Sequence, residues 1–365
     1  MSKTRGFLLA AAVAAMTFIF SCSLDDISDY VNDSSSSSVG GQGGGSSSSV
    51  VGGGQSSSSN GGQGGGGNDG PVNWTAVLNS TFGDTQINGI AYGNNTWVAV
   101  GDDGKISYSA DGRSWTAVPP GMEAGQTGFR ANDYGDIDDV AFGNGMFIAV
   151  GGVGTIAYST NGASWTVVPS ENGIPVAVGA IAYGNGMWVA GSQGIGGGRS
   201  YSEDGINWTK ATLDNTFRST VIRAIAYGNN RFVAGGDNEI SYSTDGINWT
   251  TTLDYANGIH AIVYGNNRFV IGLNRGIAYS EDCINWTVAT LDNTFKYTVI
   301  RTIAYGNNRF VAGGSSGKMG YSTTGANWTS VANSPFGTSN VYAVAYGNGR
   351  FVAVGEQGKM AYAEW

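Results

Sequence analysis

Six polar side chains recur at one place in this sequence. Asn88, Asp138, Arg223, His260, Arg301 and Tyr342, with Gly179 as a seventh occupant, each stand two residues ahead of an Ile or Val that opens a repeated segment. Their chemistry suits recognition. Arg223 and Arg301 can grip a carboxylate or phosphate in bidentate fashion, Asp138 supplies a counter-charge, and the single histidine of the chain belongs to the same set. An acidic sugar is one ligand such a set fits. A lone histidine is more often a hydrogen-bonded bystander than a base or metal ligand. The spacing identifies no pair of carboxylates for glycoside hydrolysis, so no catalytic residue, metal or cofactor is assigned. A plainer alternative is that these positions border water and vary freely.

The elements that hold them are copies of one unit. Its cleanest form, IAYGNNRFVAGGSSGKMGYSTTGANWT, runs from Ile303 to Thr329, and related copies open at Ile90, Val140, Ile181, Ile225, Ile262 and Val344. From Asn73 onward there are 293 residues, about 42 per copy. With 61 glycines, 12% aromatic and 12% charged residues, the composition favours short strands and tight turns over helices. In the copy at Ile225 the expected strands are Ile225 to Tyr227, Arg231 to Ala234, Ile240 to Ser243 and one opening at Trp249. The Gly228-Asn229-Asn230 turn supplies positive φ cheaply.

Four strands at this period predict an all-β, seven-bladed β-propeller. The last copy stops without a fourth strand, and the segment at Trp74 is a fourth strand without a blade. Pairing the two ends closes the ring and hides two sheet edges. The seven variable positions then ring the mouth of the central channel.

The third turn of the unit resembles the Asp-box of sialidase-type (BNR-like) propellers. It reads Ser109-x-Asp111-Gly112-x-x-Trp115, with Asp204 and Trp208, Asp245 and Trp249, and Asp282 and Trp286 in three more copies. The family has one more residue between aspartate and glycine, so this is a shortened variant. Asn161 and Thr324 replace the aspartate in two copies, and Cys283 replaces a glycine. In that family the box is a structural staple on the face opposite the active site, so these aspartates are expected to hold turns. A sialidase also needs an arginine cluster, a tyrosine nucleophile with a glutamate partner, and an acid. Arg223, Arg301, Tyr342 and Asp138 could be cast for these, yet the repeat register places no glutamate beside Tyr342. The Trp-Thr pairs separate the unit from WD repeats, and double glycines in only some copies separate it from kelch.

Ahead of the repeats, Lys3 and Arg5 precede an apolar run from Phe7 to Phe20, too short to span a bilayer. Ile19-Phe20-Ser21-Cys22 resembles the lipobox of bacterial lipoproteins. The resemblance implies a signal peptide over 1–21, acylation of Cys22 and attachment to the outer membrane or cell surface. Residues 22–72 are expected to be a tether. From Ser34 to Gly67, 27 of 34 residues are serine or glycine, and such a chain reaches about 40 Å. Residues 73–365 form the propeller. Net charge is −9, which argues against nucleic-acid partners. A monomer is expected, with a glycan or protein ligand and contact with the membrane only through the lipid.

Three further features have two readings each. Phe82, Phe217, Phe295 and Phe336, with Phe129 and Tyr255 nearby, could stack on sugars or wedge adjacent blades. The stretch 118–139, with Glu123, Asp133, Asp136, Asp138 and Asp139, could bind Ca²⁺ or be a solvated acidic loop. Cys283, the partner of Gly205 in a two-blade duplication of 78 residues, is a replacement rather than a redox or metal group. The functional classes that remain are a binding or adhesion module, a divergent sialidase-like hydrolase, and an assembly factor of the envelope.

Overall fold

The computed structural model describes residues 73–119, 135–168, 177–193, 198–211, 221–237, 239–254, 258–293 and 295–364. The leader, Cys22, the tether, Glu123, Phe129, Asp133, Phe217 and Tyr255 lie outside the described residues. Seven sheets, antiparallel but for one added strand in blade 6, make the seven blades of a β-propeller. Blade 1 consists of Ile87–Gly93, Thr96–Gly101, Ile106–Ser109 and Thr116–Ala117. The innermost strands of blades 2 to 7 are Ile137–Gly143, Val178–Gly184, Ile222–Gly228, Ile259–Gly265, Ile300–Gly306 and Val341–Gly347. Each touches the next in order, and that of blade 7 returns to blade 1.

The ring closes as the sequence requires. Thr75 pairs with Tyr362 and Ala76 with Ala361, so the first strand of the chain completes the last blade. Blade 6 has an addition that the repeat does not foretell. Thr290–Leu291, in the linker from blade 5, runs parallel to Asn327–Ser330 and makes a fifth strand. It covers the outer edge of that blade.

The recurring Tyr-Gly pair is the joint between blades. A side chain at Gly228 would place its Cβ 2.0 Å from the Tyr264 ring, and one at Gly347 would meet Tyr92 at 2.2 Å. The same contact joins every successive pair of blades, with Phe142 as the aromatic against Gly93. Only glycine leaves room for the neighbour's ring, so one dipeptide serves two blades. Behind each joint a second-strand aromatic fills the core: Trp97, Phe147, Trp188, Phe232, Phe269, Phe310 and Phe351 are all fully buried. The Asn94-Asn95 turn and its equivalents take positive φ, 48° and 58° in that copy, as the two-residue hairpin demands.

Phe82, Phe295 and Phe336 are buried at 1%, 0% and 1% exposure. The wedge reading holds for these three, and they offer no stacking platform. Burial at the joint between blades 3 and 4 has one exception to its apolar rule. Arg199 occupies a place where other blades carry Ile or Met, is 1% exposed, and stacks 4.2 Å over Trp249 while donating to Ser241.

Candidate functional site

The seven variable positions lie inside the innermost strands, not in the linkers before them, because those strands begin three residues earlier than the repeat suggests. In every blade the ladder slips at that point. Ile222 pairs with Gly236 and Ala224 with Gly235, which leaves Arg223 as the extra residue of a β-bulge. The same slip singles out Asn88, Asp138, Gly179, His260, Arg301 and Tyr342. A bulge frees one residue from the ladder and re-aims its side chain. Seven bulges at one end of seven adjacent strands therefore form a ring around the mouth.

The bulge residue has a partner at a fixed interval. Fourteen residues on, just past the second strand, stand Asp102, Gly152, Gln193, Asp237, Asn274, Ser315 and Glu356. Asn88 donates to Asp102 at 2.8 Å, Arg223 pairs with Asp237 at 2.8 Å, His260 Nε2 meets Asn274 Oδ1 at 2.7 Å, and Tyr342 donates to Glu356 at 3.0 Å. Where one member of a pair lacks a side chain, a neighbour fills in. A Cβ on Gly179 would lie 2.3 Å from Gln193, and Gln193 hydrogen-bonds Asp138, whose own partner is Gly152. Glu356 corrects the expectation that no glutamate stands beside Tyr342. This second ring escapes a reading that compares like positions between copies. Its signal is the paired change of positions n and n+14 within each copy.

Charge is unevenly placed on these rings. On blades 1 and 2, Asp102, Asp136 and Asp138 face one another. Burial, then repulsion from Asp136 and Asp102, pushes the Asp138 carboxyl up to about 7, against a lowering from Gln193. Burial likewise raises Asp102, with Asp136 and Asp103 adding to it and the Asn88 bond opposing. Asp139, the next residue along, is committed elsewhere: it accepts from Val140 N at 2.9 Å and from Ile181 N of blade 3 at 3.0 Å. Thr302 does the same for Val344 N at 2.9 Å. Among the described residues no group of three or more His, Cys, Asp or Glu side chains is arranged to hold a metal ion.

Blades 4 to 6 carry the cations. Burial holds the His260 pKa below its ordinary value, and Arg223 and Arg301 on either side lower it further, against the Asn274 bond and Asp237. The neutral ring donates from Nε2 to the Asn274 carbonyl, which leaves Nδ1 as an acceptor; it is buried and meets no partner. The Arg301 guanidinium lies 5.2 Å over the Tyr342 ring, and its Nε is buried without an acceptor. Ser315 stands where a carboxylate would pair it. Tyr342 is 5% exposed, and burial raises its pKa, with Glu356 adding to this and Asn340 and Arg301 opposing.

The opposite face is chemically spent. In the turn after the third strand, Asp111 Oδ1 accepts from Arg113 N and Ser114 N at 2.8 and 2.7 Å, and Ser109 Oγ accepts from Gly112 N at 2.9 Å. Asp204, Asp245 and Asp282 repeat this, as does Asn161 with its amide oxygen. Burial alone would raise Asp111, Asp204 and Asp245, but the backbone N–H bonds outweigh it and hold them at about 2. Trp208 and Trp249 donate to the glycine carbonyl of their own turns at 3.1 and 3.0 Å, whereas Nε1 of Trp115 and of Trp286 is buried and makes no hydrogen bond among the described residues. The Cys283 thiol is buried and raised to about 11, by burial first.

No family model matches the chain, and no curated protein matches it. Solved structures do. YCF48 bound to D1 peptide is 18% identical with a TM-score of 0.63 over 82% of this chain and 96% of its own. YCF48 from Cyanidioschyzon merolae is 19% identical, TM-score 0.60, over 80% and 98%. Virginiamycin B lyase from Staphylococcus aureus is 13% identical, TM-score 0.65, over 80% and 99%. At these identities the likeness shows the fold alone, a seven-bladed β-propeller whose structural relatives include both a peptide-bound protein and an enzyme.

Proposed function

We propose that this chain is a non-enzymatic binding module that takes a protein segment across its bulge-lined mouth, held at the bacterial cell envelope by an acylated Cys22. The observation that carries the reading is the pair of buried, unpartnered polar atoms at the mouth, Arg301 Nε and His260 Nδ1. Buried polar groups are ordinarily hydrogen-bonded; orphaned atoms also occur elsewhere, as at Arg268 Nε and Arg350 Nε, and the Arg301 and His260 atoms are set apart by belonging to the bulge ring, where a ligand would supply the partner. A protein segment is favoured over a glycan because, among the described residues, the linker aromatics that could stack on sugar faces, Phe82, Phe295 and Phe336, are in the core. YCF48 with its D1 peptide gives a precedent for a peptide on this fold.

The test is capture of ligands from a peptide array and a glycan array by the full chain, beside Arg301→Ala and Arg223→Ala. Peptide binding that weakens about tenfold or more in Arg301→Ala, with an unchanged melting temperature, is the expected result. Binding to glycans alone overturns the protein part of the reading. Partners that co-purify and ignore both substitutions would favour an assembly role through another face.

One observation favours a second reading, a sialidase-like hydrolase. Tyr342 donates to Glu356 at 3.0 Å with Arg301 over its ring, which supplies the tyrosine, glutamate and arginine that the resemblance calls for. The burial of Tyr342 weighs against it. Turnover of a fluorogenic sialoside that vanishes in Tyr342→Phe would establish it, and no turnover would remove it.

A further inference from the structure

The charged groups of the mouth leave two opposite deficits. Blades 1 and 2 hold Asp102, Asp136 and Asp138, and among the described residues no Lys or Arg pairs with any of them. Across the ring, the blade facing the boundary between blades 1 and 2 is blade 5, the site of His260. Arg223 and Arg301 flank it on blades 4 and 6. Arg223 is answered by Asp237, but Arg301 has no carboxylate among the described residues. Among the described residues the acidic sector has no paired cation, and Arg301, on blade 6 and two blades round the ring from Asp102, has no paired carboxylate. Like charges held together at partly buried positions raise the energy of the empty site, and a low-dielectric mouth strengthens any opposite charge brought to it.

We propose that the mouth is two-signed: it takes a ligand bearing both charges in one orientation, an anionic group toward Arg301 and His260 and a cationic group toward Asp102, Asp136 and Asp138. This rests on the mouth-binding reading above and adds polarity to it. The bulges give the arrangement its logic. They turn one side chain per blade out of the ladder, so a chain laid across the opening meets Asp138, with Asp102 and Asp136 beside it, in one sector and Arg301 in another. His260 Nδ1 adds an acceptor beside Arg301, which suits a ligand group that carries an N–H or O–H next to its anion. Complementary charge at both ends fixes register and excludes the reversed ligand, because reversal sets like charges together.

The probe is a series of N-acetylated, C-amidated glycine peptides carrying one Glu and one Lys at increasing separation, with Glu-only, Lys-only and uncharged versions. Binding to the full chain is followed by calorimetry at low salt. At one separation the two-charge peptide is expected to bind about tenfold tighter than either single-charge peptide, and to weaken as salt is raised. Arg301→Gln removes the advantage conferred by Glu and spares that of Lys; Asp136→Asn does the reverse. Asp136 is exposed, so its substitution leaves folding intact, and melting curves verify this for both variants. Equal weakening of every peptide by both variants overturns the two-signed mouth, as does a series in which charge makes no difference. The mouth-binding reading survives those results if neutral peptides from the array still bind and still respond to Arg301→Ala. A blank array removes both.

Discussion

The two faces of the propeller are built from the same seven copies and have opposite characters. On the face of the Ser-Asp-Gly turns the copies keep one pattern of backbone hydrogen bonds even where Asn161 or Thr324 replaces the aspartate, and each carboxylate is consumed within its own turn, as at Asp111, Asp204 and Asp245. At the mouth the copies disagree, and the polar groups either find a partner fourteen residues away or remain without one, as at Arg301. Between the faces run the glycine–aromatic joints, which vary only by the exchange of Tyr for Phe at Phe142. Uniformity marks the parts that answer only to the fold. Departure from it marks the surface where something besides the fold sets the residue.

The comparison breaks first if the joints are not what fixes the copies. Gly228→Ala drives a methyl into the Tyr264 ring and is expected to cost about 3 kcal/mol or more; a denaturant midpoint within error of the parent would refute the joint. At the mouth the sign reverses. Asp138 has its pKa raised from 3.8 to about 7 by burial and by its acidic neighbours, so ionisation favours the unfolded chain. The Asp138 contribution to stability is full below pH 4, is lost as the pH rises from about 4 to about 7, and stays lost above. Asp138→Asn removes that loss. The whole displacement corresponds to about 4 kcal/mol, but the repulsion is shared with Asp102 and Asp136, so a gain of about 2 kcal/mol at pH 8 and none at pH 3.5 is expected from melting curves.

On the uniform face the effect has the ordinary sign. Asp245→Ala strips acceptors from Ile247 N and Asn248 N and should cost about 1 kcal/mol, in the range of a helix-capping loss. Because the pKa of Asp245 is depressed to about 2, its contribution is present above pH 4 and fades as the pH falls through 2, and the variant should lack that acid-side slope. The smallest effect sharpens the rule from its exception. Cys283 holds φ at 67° where Gly205 and Gly246 hold 75° and 77°. Cys283→Gly relieves a left-handed side-chain penalty of about 1 kcal/mol, offset by lost packing, so a gain below about 1 kcal/mol is expected in chemical denaturation.

Much of this was legible in the sequence for a physical reason. Tyr-Gly-Asn recurs because a ring, a gap and a left-handed turn are needed seven times, and any copy that lost one would lose a joint. The closing strand at Trp74 followed from the same arithmetic. The bulge did not, because a one-residue slip leaves no mark on hydrophobic alternation when the slipped residue faces a channel. Glu356 and Gln193 were missed because their positions look like turn residues until each is set against Tyr342 and Gly179 in its own copy or the next. Thr290–Leu291 pairs across a blade boundary, which no within-copy pattern encodes.

The closing strand has a mechanical consequence. Thr75 and Ala76 are held to Tyr362 and Ala361, with Val77 N on Met360 O at 2.8 Å just beyond, and the chain enters the ring there from its N-terminal side. Any pull transmitted along the backbone from that side therefore loads this clasp before it reaches another blade. The clasp lies within blade 7, so a stretched chain peels Thr75 and Ala76 from the outer edge of that blade first, while its innermost strand Val341–Gly347, which carries Tyr342, stays joined to blade 1 through Gly347 and Tyr92.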